Sequence, residues 1–194
     1  TDTEGDTRSF TLTSAPSETE LCVAMRMRDT AFKRVLRDMA IGTEVEIDGP
    51  MGIFTLPDDA SQPVVFLMGG IGVTPARSMC IEATVKNLPH SLYLFYSNKR
   101  PEDTAFLSEL SELGKKNPKY TFIGTMTEMP KSKESWNGET GMLNAEIIKK
   151  YIEDVTKPIW YISGPPAMVS AMCNTLQTLN VAKENIKTEE FSGY

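Results

Sequence analysis

The chain has 194 residues, of which 40% are hydrophobic and 24% are charged, and its formal net charge is −6. This length provides a core for one large domain or two modest ones, and the composition is that of a globular protein, not of a disordered or fibrous one. The negative charge argues against a nucleic-acid partner, because phosphate backbones are bound by basic surfaces.

The cysteines and the single histidine exclude several kinds of site. Cys22, Cys80 and Cys173 form no CxxC pair, so no metal or iron–sulfur site is predicted and each is expected to be a small buried residue. His90 follows a Leu-Pro pair and is expected on the surface, which leaves a serine–histidine hydrolase without support. The odd cysteine count, a polar N-terminus unlike a signal peptide and the lack of an apolar run of about 20 residues predict a cytoplasmic protein without a membrane span.

The first part of the chain is rich in short runs with β propensity. These strand-like runs cover residues 9–13, 20–27, 44–48 and 51–56 and are separated by turn residues, which predicts part of a small antiparallel barrel. One helix is predicted from about Ala31 to Met39, with Asp29 or Thr30 as its N-cap.

The pattern changes near residue 57, and from there strands and helices alternate. The predicted domains are therefore residues 1–57 and residues 58–194. Strands are predicted over residues 64–68, 92–96, 120–126, 159–162 and, more weakly, 186–191, with helices near 75–86, 102–113, 144–151 and 166–179. This alternation is typical of a doubly wound parallel sheet, in which ligands bind at the carboxyl ends of the strands.

The sequence GGIGVTP at residues 69–75 is the most informative segment. It follows a wholly apolar run that is typical of a buried parallel strand. Gly70 and Gly72 lie in the expected turn, with Thr74 as the predicted N-cap and Pro75 as the first helical residue. Because helix N-termini present backbone N–H groups and a favourable dipole to phosphate, this segment predicts nucleotide binding.

Two further segments follow strands directly. Ser163-Gly164-Pro165-Pro166 opens the last helix and is either a simple helix cap or a second contact for a dinucleotide near its reacting ring. Ser97-Asn98-Lys99-Arg100 ends the second strand, where dinucleotide folds contact the adenosine ribose. A hydroxyl and two cations at this position suit a 2′-phosphate, so NADP is predicted, with NAD as the alternative.

Taken in order, these motifs resemble the ferredoxin–NADP reductase family of flavoproteins in its shorter bacterial and archaeal branch. Arg8-Ser9-Phe10-Thr11 resembles the flavin motif of that family, and the GGIGVTP segment is similar to its pyridine-nucleotide glycine motif. Residues 96–103 and 189–194 are also similar to the family. The resemblance covers nearly the whole chain and implies a flavin-binding barrel followed by an NAD(P)-binding α/β domain, with FAD and NADP as cofactors.

The resemblance also implies roles for individual residues. Arg8 would pair with the flavin pyrophosphate, Phe10 would lie against the flavin, and Thr11 would offer a hydroxyl near its reactive N5. Thr74 would touch both flavin and nicotinamide. Ser163 stands where many relatives carry a cysteine beside the nicotinamide.

At the far side of the site, the resemblance implies Glu190 and Phe191, with Phe191 as a ring cover that yields to nicotinamide. The implied catalytic residues are Thr11, Ser163 and Glu190, and the implied cofactor-binding residues are Arg8, Ser9, Phe10, Thr11, Ala24, Met25, Arg26, Thr30, Ala31, Phe32, Lys33, Gly70, Gly72, Thr74, Pro75, Ser97, Asn98, Lys99, Arg100, Gly164, Pro165 and Phe191.

The chain departs from the family pattern at its beginning. Relatives carry further strands before the arginine motif, whereas only Thr1 to Thr7 precede Arg8 here. This implies that half of the barrel is absent, either in a trimmed fragment or in a natural minimal form whose open edge is covered by a partner chain. A homodimer is predicted, because open strand edges invite pairing.

The predicted function is that of a flavin-dependent NAD(P)H oxidoreductase. Hydride would pass from nicotinamide to FAD, and electrons would continue to a separate acceptor such as ferredoxin, flavodoxin or a small molecule. The alternative is a non-catalytic nucleotide-binding or assembly subunit that has lost its flavin. A short-chain dehydrogenase ranks last because the expected Tyr-x-x-x-Lys pair is lacking. FMN in place of FAD stays open.

Overall fold

A parallel β-sheet forms the centre of the protein, in a computed structural model that describes residues 5–191. The sheet has six strands in the order β4-β3-β2-β1-β5-β6. Their bounds are Val64–Gly69 (β1), Leu92–Asn98 (β2), Tyr120–Met126 (β3), Glu139–Thr140 (β4), Ile159–Gly164 (β5) and Ile186–Glu190 (β6). The predicted doubly wound α/β fold is confirmed.

Helices cover both faces of this sheet. They are α1 (Ala31–Asp38), α2 (Thr74–Val85), α3 (Leu107–Glu112), α4 (Ala145–Tyr151) and α5 (Pro166–Thr178). The helix predicted near residues 102–113 is divided, because a 3-10 turn at Pro101–Asp103 precedes α3 and Phe106 between them has a left-handed φ of 57°. That backbone conformation interrupts a right-handed helix.

The core lies on both sides of β1, whose residues from Val64 to Met68 have no exposed surface. Val64, Phe66 and Met68 pack with apolar residues of α2 and α3. Val65 and Leu67 pack with apolar residues of α4 and α5 on the other face. Burial on both faces is the reason that this strand reads as a continuous apolar run.

The order of the strands creates a switch point beside β1. From β1 the chain moves outward through β2, β3 and β4, and it then returns to the other side of β1 to form β5. Ser163 of β5 is therefore paired in register with Met68, and Ser97 of β2 with Gly69. The three segments predicted to bind a dinucleotide thus share the carboxyl edge of the sheet, as expected.

The described part of the N-terminal segment, residues 5–57, contains α1 but no regular strand. Its one β contact in these residues is an isolated antiparallel bridge between Leu12 and Val23, so the predicted strands are wrong as regular elements. A strand persists where a neighbour completes its hydrogen bonds, and among the described residues nothing pairs with residues 44–48 or 51–56. Several of their apolar side chains are exposed, with Val45 at 61% and Ile53 at 91%, whereas Phe54 and Leu56 are half-buried and pack against the core.

The end of this segment is anchored to the sheet through backbone carbonyls. The hydroxyl of Tyr161 donates to the carbonyl of Thr55, and Nε2 of His90 lies 2.8 Å from the carbonyl oxygen of Pro57. His90 is only 5% exposed, so its predicted surface position is wrong. The Pro57 carbonyl supplies the polar partner that a buried imidazole needs.

The cysteines differ from one another in burial. Cys80 is buried as predicted, and burial raises the pKa of its thiol, whereas Cys22 is exposed and its predicted burial is wrong. Cys173 is half-buried. Within residues 5–191, no group of three or more His, Cys, Asp or Glu side chains is arranged to hold a metal ion. None of the helices in this part of the chain is both long and apolar enough to cross a bilayer.

Candidate functional site

The turn after β1 is built differently from the prediction. Residues Gly70–Val73 form a 3-10 turn, and Thr74 is already helical, with φ −52° and ψ −49°. The predicted N-cap role of Thr74 is therefore wrong, because the 3-10 turn precedes α2 directly and Val73 occupies the cap position. Pro75 is the second residue of α2 and not the first as predicted, although it still lies in the first helical turn, where its missing N–H costs no intrahelical bond. The hydroxyl of Thr74 is thus not used for capping.

The side-chain oxygens of Thr74 and Ser163 are the most informative atoms at this edge. Both residues are 0% exposed, and neither hydroxyl oxygen has a hydrogen-bond partner among the described residues. An unsatisfied buried polar group costs about 1–3 kcal/mol, so such groups are rare and point to a partner. Ser163 lies near the end of β5 and Thr74 begins α2 just after Gly72, which faces the backbone of Ser163, so the two residues belong to neighbouring elements at the switch point. This donor set fits an amide-bearing ligand.

The glycines at the ends of β1 and β5 allow close packing between these two segments as well as unusual backbone conformations. A Cβ atom on Gly72 would lie 2.6 Å from the backbone nitrogen of Gly164 and from the carbonyl oxygen of Ser163. A Cβ on Gly164 would lie 3.1 Å from backbone atoms of Gly69. Gly70 differs, because it has a φ of 52° and, in the part of the chain that the structure describes, no neighbour within 4 Å of a Cβ position. Gly70 is therefore the glycine that faces open space.

A hydrogen bond joins the N-terminal segment to the last strand of the sheet. The hydroxyl of Thr11 donates to Oε1 of Glu189 over 3.0 Å. Glu189 is paired in register with Ser163, and the amide of Phe191 donates to the carbonyl of Gly164 over 3.0 Å. Four predicted site residues, Thr11, Ser163, Gly164 and Phe191, therefore meet the newly found Glu189 at the carboxyl end of β5.

The acidic residue in this cluster is Glu189, which the sequence analysis missed. Glu190 is exposed, and successive side chains of a strand point to opposite faces, so the two carboxylates lie on different sides of β6. The contact between Thr11 and Glu189 is what distinguishes them. The remainder of the similar C-terminal motif, residues 192–194, lies outside the described residues.

Cations and aromatic rings gather around α1. The ring centroids of Phe10 and Phe32 are 5.9 Å apart, and the guanidinium of Arg8 lies 5.1 Å from the centre of the Phe32 ring. Nζ of Lys33 donates to the carbonyl of Arg26 over 2.6 Å. Guanidinium and ammonium donors beside a flat apolar surface fit a pyrophosphate attached to an aromatic ring system.

The other residues predicted near the flavin lie close by in the chain. Thr30 is confirmed as the N-cap of α1, since its hydroxyl accepts from the backbone nitrogen of Lys33, and Ala31 is the first helical residue. Ala24 and Met25 are half-buried in the preceding segment, and Ser9 is exposed. The structure shows no contact that assigns these residues to a ligand.

The segment after β2 holds its cations in ion pairs. Arg100 binds Asp103 through both carboxylate oxygens, at 2.7 Å and 3.1 Å, and Nζ of Lys99 lies 3.2 Å from Glu128. The Arg100 guanidinium lowers the pKa of Asp103. Ser97 is half-buried. Asn98 is buried, and its amide nitrogen has no partner in residues 5–191. A 2′-phosphate at this place would compete with carboxylates for the two cations.

Comparison with known proteins agrees with the fold. The sequence matches the family model described as the oxidoreductase NAD-binding domain over residues 66–174. It is 26% identical over 188 residues to the phenol hydroxylase P5 protein of Acinetobacter pittii, a match that covers 95% of this chain and 53% of that protein. The chain therefore spans about half the length of this relative.

Two solved structures share the fold. The flavohem-like FAD/NAD-binding domain of nitric oxide dioxygenase from Vibrio cholerae has a TM-score of 0.81 at 17% identity, covering 95% of this chain and 76% of that one. A ferredoxin NADP+ reductase from Neisseria gonorrhoeae, with bound FAD and NADP, has a TM-score of 0.72 at 19% identity, covering 94% of this chain and 79% of that one.

Proposed function

The chain belongs to the oxidoreductase NAD-binding domain family and has a ferredoxin–NADP reductase-like fold, and from this premise we propose that it is an FAD-dependent NAD(P)H oxidoreductase. The observation that carries the proposal is the pair of buried hydroxyls at the switch point of the sheet, Thr74 and Ser163, which have no hydrogen-bond partner within residues 5–191. When bound, FAD would supply an acceptor for the hydride of NAD(P)H and a donor of electrons to a further acceptor.

The residues at the carboxyl end of β5 would bind and orient the nicotinamide. The hydroxyls of Thr74 and Ser163 suit its carboxamide, which both donates and accepts hydrogen bonds. The Thr11–Glu189 hydrogen bond would hold the N-terminal segment against the nicotinamide site. Gly70, Pro75, Gly164, Pro165 and Phe191 would shape the walls around the ring, and the role predicted for Glu190 stays a prediction. Holding two reactants in register accounts for a large part of the rate in such reactions.

Residues of the N-terminal segment would bind the flavin nucleotide. Arg8, Arg26 and Lys33 would neutralise its pyrophosphate, and Phe10 and Phe32 would pack against its rings. Ser9, Ala24, Met25, Thr30 and Ala31 complete the proposed set. On this proposal residues 1–57 form the flavin-binding part and residues 58–194 form the NAD(P)-binding part.

The choice between NADP and NAD depends on the segment after β2. We retain NADP as the preferred nucleotide, because Ser97, Lys99 and Arg100 offer one hydroxyl and two cations to a 2′-phosphate. The ion pairs with Glu128 and Asp103 oppose that preference. Titration of the purified protein with NADPH and NADH, one after the other, measures the preference directly.

The acceptor and the assembly are also proposals. Electrons would pass to a separate carrier such as ferredoxin or flavodoxin, or to a small molecule, in a cytoplasmic setting. A homodimer would cover apolar side chains of the N-terminal segment, among them Ile47 at 65% and Met51 at 77% exposure. Light scattering at micromolar concentration tests the dimer, and a monomer at that concentration would overturn it.

Purified protein provides the decisive test of the function. We expect yellow protein that releases FAD in mass spectrometry and bleaches when NADPH or NADH is added without oxygen. Protein that stays colourless after incubation with excess FAD or FMN, and whose melting temperature does not rise, would instead favour the non-catalytic nucleotide-binding subunit.

A further inference from the structure

A short loop of the N-terminal segment is bound to the helix that follows the glycine turn. This loop, residues 13–18, is named the clasp loop here. Arg77 of α2 donates to the carbonyl of Thr13 over 2.8 Å, and Ser78 donates to the carbonyl of Ser14 over 2.8 Å. The backbone nitrogen of Ser17 donates to Glu82 over 2.8 Å. Partners 64 or 65 residues apart in sequence are thus joined along one face of α2.

Arg77 is the centre of this contact. Its guanidinium binds Glu18 of the clasp loop through two nitrogens, at 2.9 Å and 3.1 Å, and Glu109 of α3 through two nitrogens, both at 2.7 Å. Together with the Thr13 carbonyl, these bonds use every N–H donor of the guanidinium. The group also lies 5.2 Å from the centre of the Phe106 ring. Three separate parts of the chain therefore meet on one side chain.

The opposite charges of Arg77 and Glu18 stabilise one another. The Arg77 guanidinium lowers the pKa of Glu18, and Glu18 in turn raises the pKa of Arg77. The side chain of Arg77 is 11% exposed, whereas those of Glu18 and Glu109 are 36% and 39% exposed, so solvent still screens the carboxylates. A planar guanidinium with two bidentate partners sets angles as well as distances, which an ammonium group does not do.

The clasp loop is connected to both sides of the proposed site: along the chain to Thr11, and through Arg77 to Thr74. Thr13 is two residues from Thr11, which bonds to Glu189, and Arg77 is one helical turn from Thr74. Thr13, Ser14 and Ala15 are buried, whereas the other described residues of the segment are exposed or half-buried. Any displacement of the clasp loop along α2 therefore moves Thr11 relative to Thr74.

We propose that Arg77 is a positioning residue, which fixes the distance between the flavin side and the nicotinamide side of the site by holding the clasp loop against α2. The kinetic part of this inference rests on the proposed function, whereas the structural part does not. Neither Arg77 nor Glu18 was singled out by the sequence, because their partners are distant along the chain.

The experiment compares substitutions of the two carboxylates that bind the Arg77 guanidinium, Glu18 and Glu109. Glu18→Gln weakens the hydrogen bonds between Arg77 and the clasp loop, and Glu109→Gln weakens those between Arg77 and α3. Arg77→Lys keeps the positive charge but loses the bidentate geometry of the guanidinium. Hydrogen exchange of the purified protein is measured at the amides of Ala15 and Ser17, which donate to Glu18 and Glu82. We expect about tenfold faster exchange there in Glu18→Gln and Arg77→Lys, and less than about threefold in Glu109→Gln.

The second measurement is anaerobic reduction of the flavin in a single turnover. We expect it to slow about tenfold in Glu18→Gln and Arg77→Lys, with nucleotide affinity unchanged, because a small misplacement of reacting groups lowers the rate without removing binding contacts. Glu109→Gln is expected to change this rate less than about twofold, even where it lowers the melting temperature as much.

The outcomes separate this inference from the proposed function. Equal exchange and equal rates in Glu18→Gln and Glu109→Gln would show that the cluster only stabilises the fold, which would overturn the positioning role. Faster exchange in Glu18→Gln without any change of rate would overturn it as well. Wild-type protein that binds no flavin would overturn the proposed function, and the exchange result would still decide whether Arg77 holds the clasp loop. If Arg77→Lys does not fold, the two glutamine variants decide the matter.

Discussion

The hydroxyl of Thr11 and the carboxylate of Glu189 are separated by 178 residues in sequence and by a 3.0 Å hydrogen bond in space. This bond joins the N-terminal segment to β6, beside the buried Ser163. It identifies the point at which the proposed flavin-binding and nicotinamide-binding parts meet.

Replacing Thr11 by alanine removes the hydroxyl of that bond. We expect Thr11→Ala to slow flavin reduction about tenfold while changing NADPH binding little, because the hydroxyl positions the site and does not contact the distant end of the nucleotide. Stopped-flow reduction over a range of NADPH concentrations separates the rate from the affinity. Thr11→Ser retains the hydroxyl and should restore most of the rate, and equal rates for Thr11→Ala and the wild type would refute the role.

Glu189 and Glu190 compete for the acidic role at the end of β6. Glu189→Ala removes the acceptor of the Thr11 hydroxyl, whereas Glu190→Ala alters an exposed side chain on the other face. We therefore expect flavin reduction to be about tenfold slower in Glu189→Ala than in Glu190→Ala. Measurement of flavin reduction in both variants decides between them, and a larger loss in Glu190→Ala would restore the prediction made from the sequence.

The ion pair between Arg100 and Asp103 makes the nucleotide preference testable. Asp103→Asn removes the negative charge that Arg100 binds, so more positive potential is left for a 2′-phosphate. We expect kcat/KM for NADPH to rise about threefold to tenfold relative to that for NADH, since a charge-assisted hydrogen bond contributes about 1.5 kcal/mol or more. Glu112→Gln, which breaks the exposed pair with Lys115, is the matched control. An unchanged NADPH-to-NADH ratio would exclude Arg100 from phosphate binding.

The glycines of the first turn are expected to differ in their tolerance of alanine. Gly72→Ala places a methyl group 2.6 Å from backbone atoms of the facing turn, which do not move independently. We expect the free energy of unfolding to fall by about 3 kcal/mol or more, as in other overpacked sites. Gly70→Ala meets no described residue within 4 Å, so the expected cost is that of its positive φ, about 1 kcal/mol. Urea unfolding of the two variants tests the order, and a reversed order would contradict the packing of the two turns.

The contribution of Glu18 to the free energy of unfolding should decrease as the pH falls. The pKa of Glu18 is lowered in the folded protein by Arg77, so its contribution is fully present above the ordinary glutamate pKa of about 4.3 and is lost as the pH falls through the lowered value. We expect the difference in unfolding free energy between the wild type and Glu18→Gln to be constant from about pH 6 to 7 and to shrink below about pH 4. A difference that grows on acidification would contradict this ion pair.

The elements of the sheet were predictable because their signals are local. Each central strand is buried on both faces by helices, so it appears as an apolar run whose end is marked by glycine, serine or asparagine. The carboxyl ends of parallel strands share one edge of the sheet. The sequence alone therefore predicted that the segments at Gly69, Ser97 and Ser163 lie close together. The cap of α1 at Thr30 follows from a side chain and a backbone nitrogen three residues apart.

Features that depend on a distant partner were decided by the tertiary structure. Residues 44–48 and 51–56 have strand-like sequences, but among the described residues no neighbour completes their hydrogen bonds. The burial of His90 depends on the carbonyl of Pro57, and the part played by Arg77 depends on Glu18 and Glu109. Composition and periodicity therefore determined the sheet, its helices and the edge at which the site is proposed. The pairing of polar groups across that edge required the folded chain, because a hydrogen bond selects its partner by distance in space and not by position in the sequence.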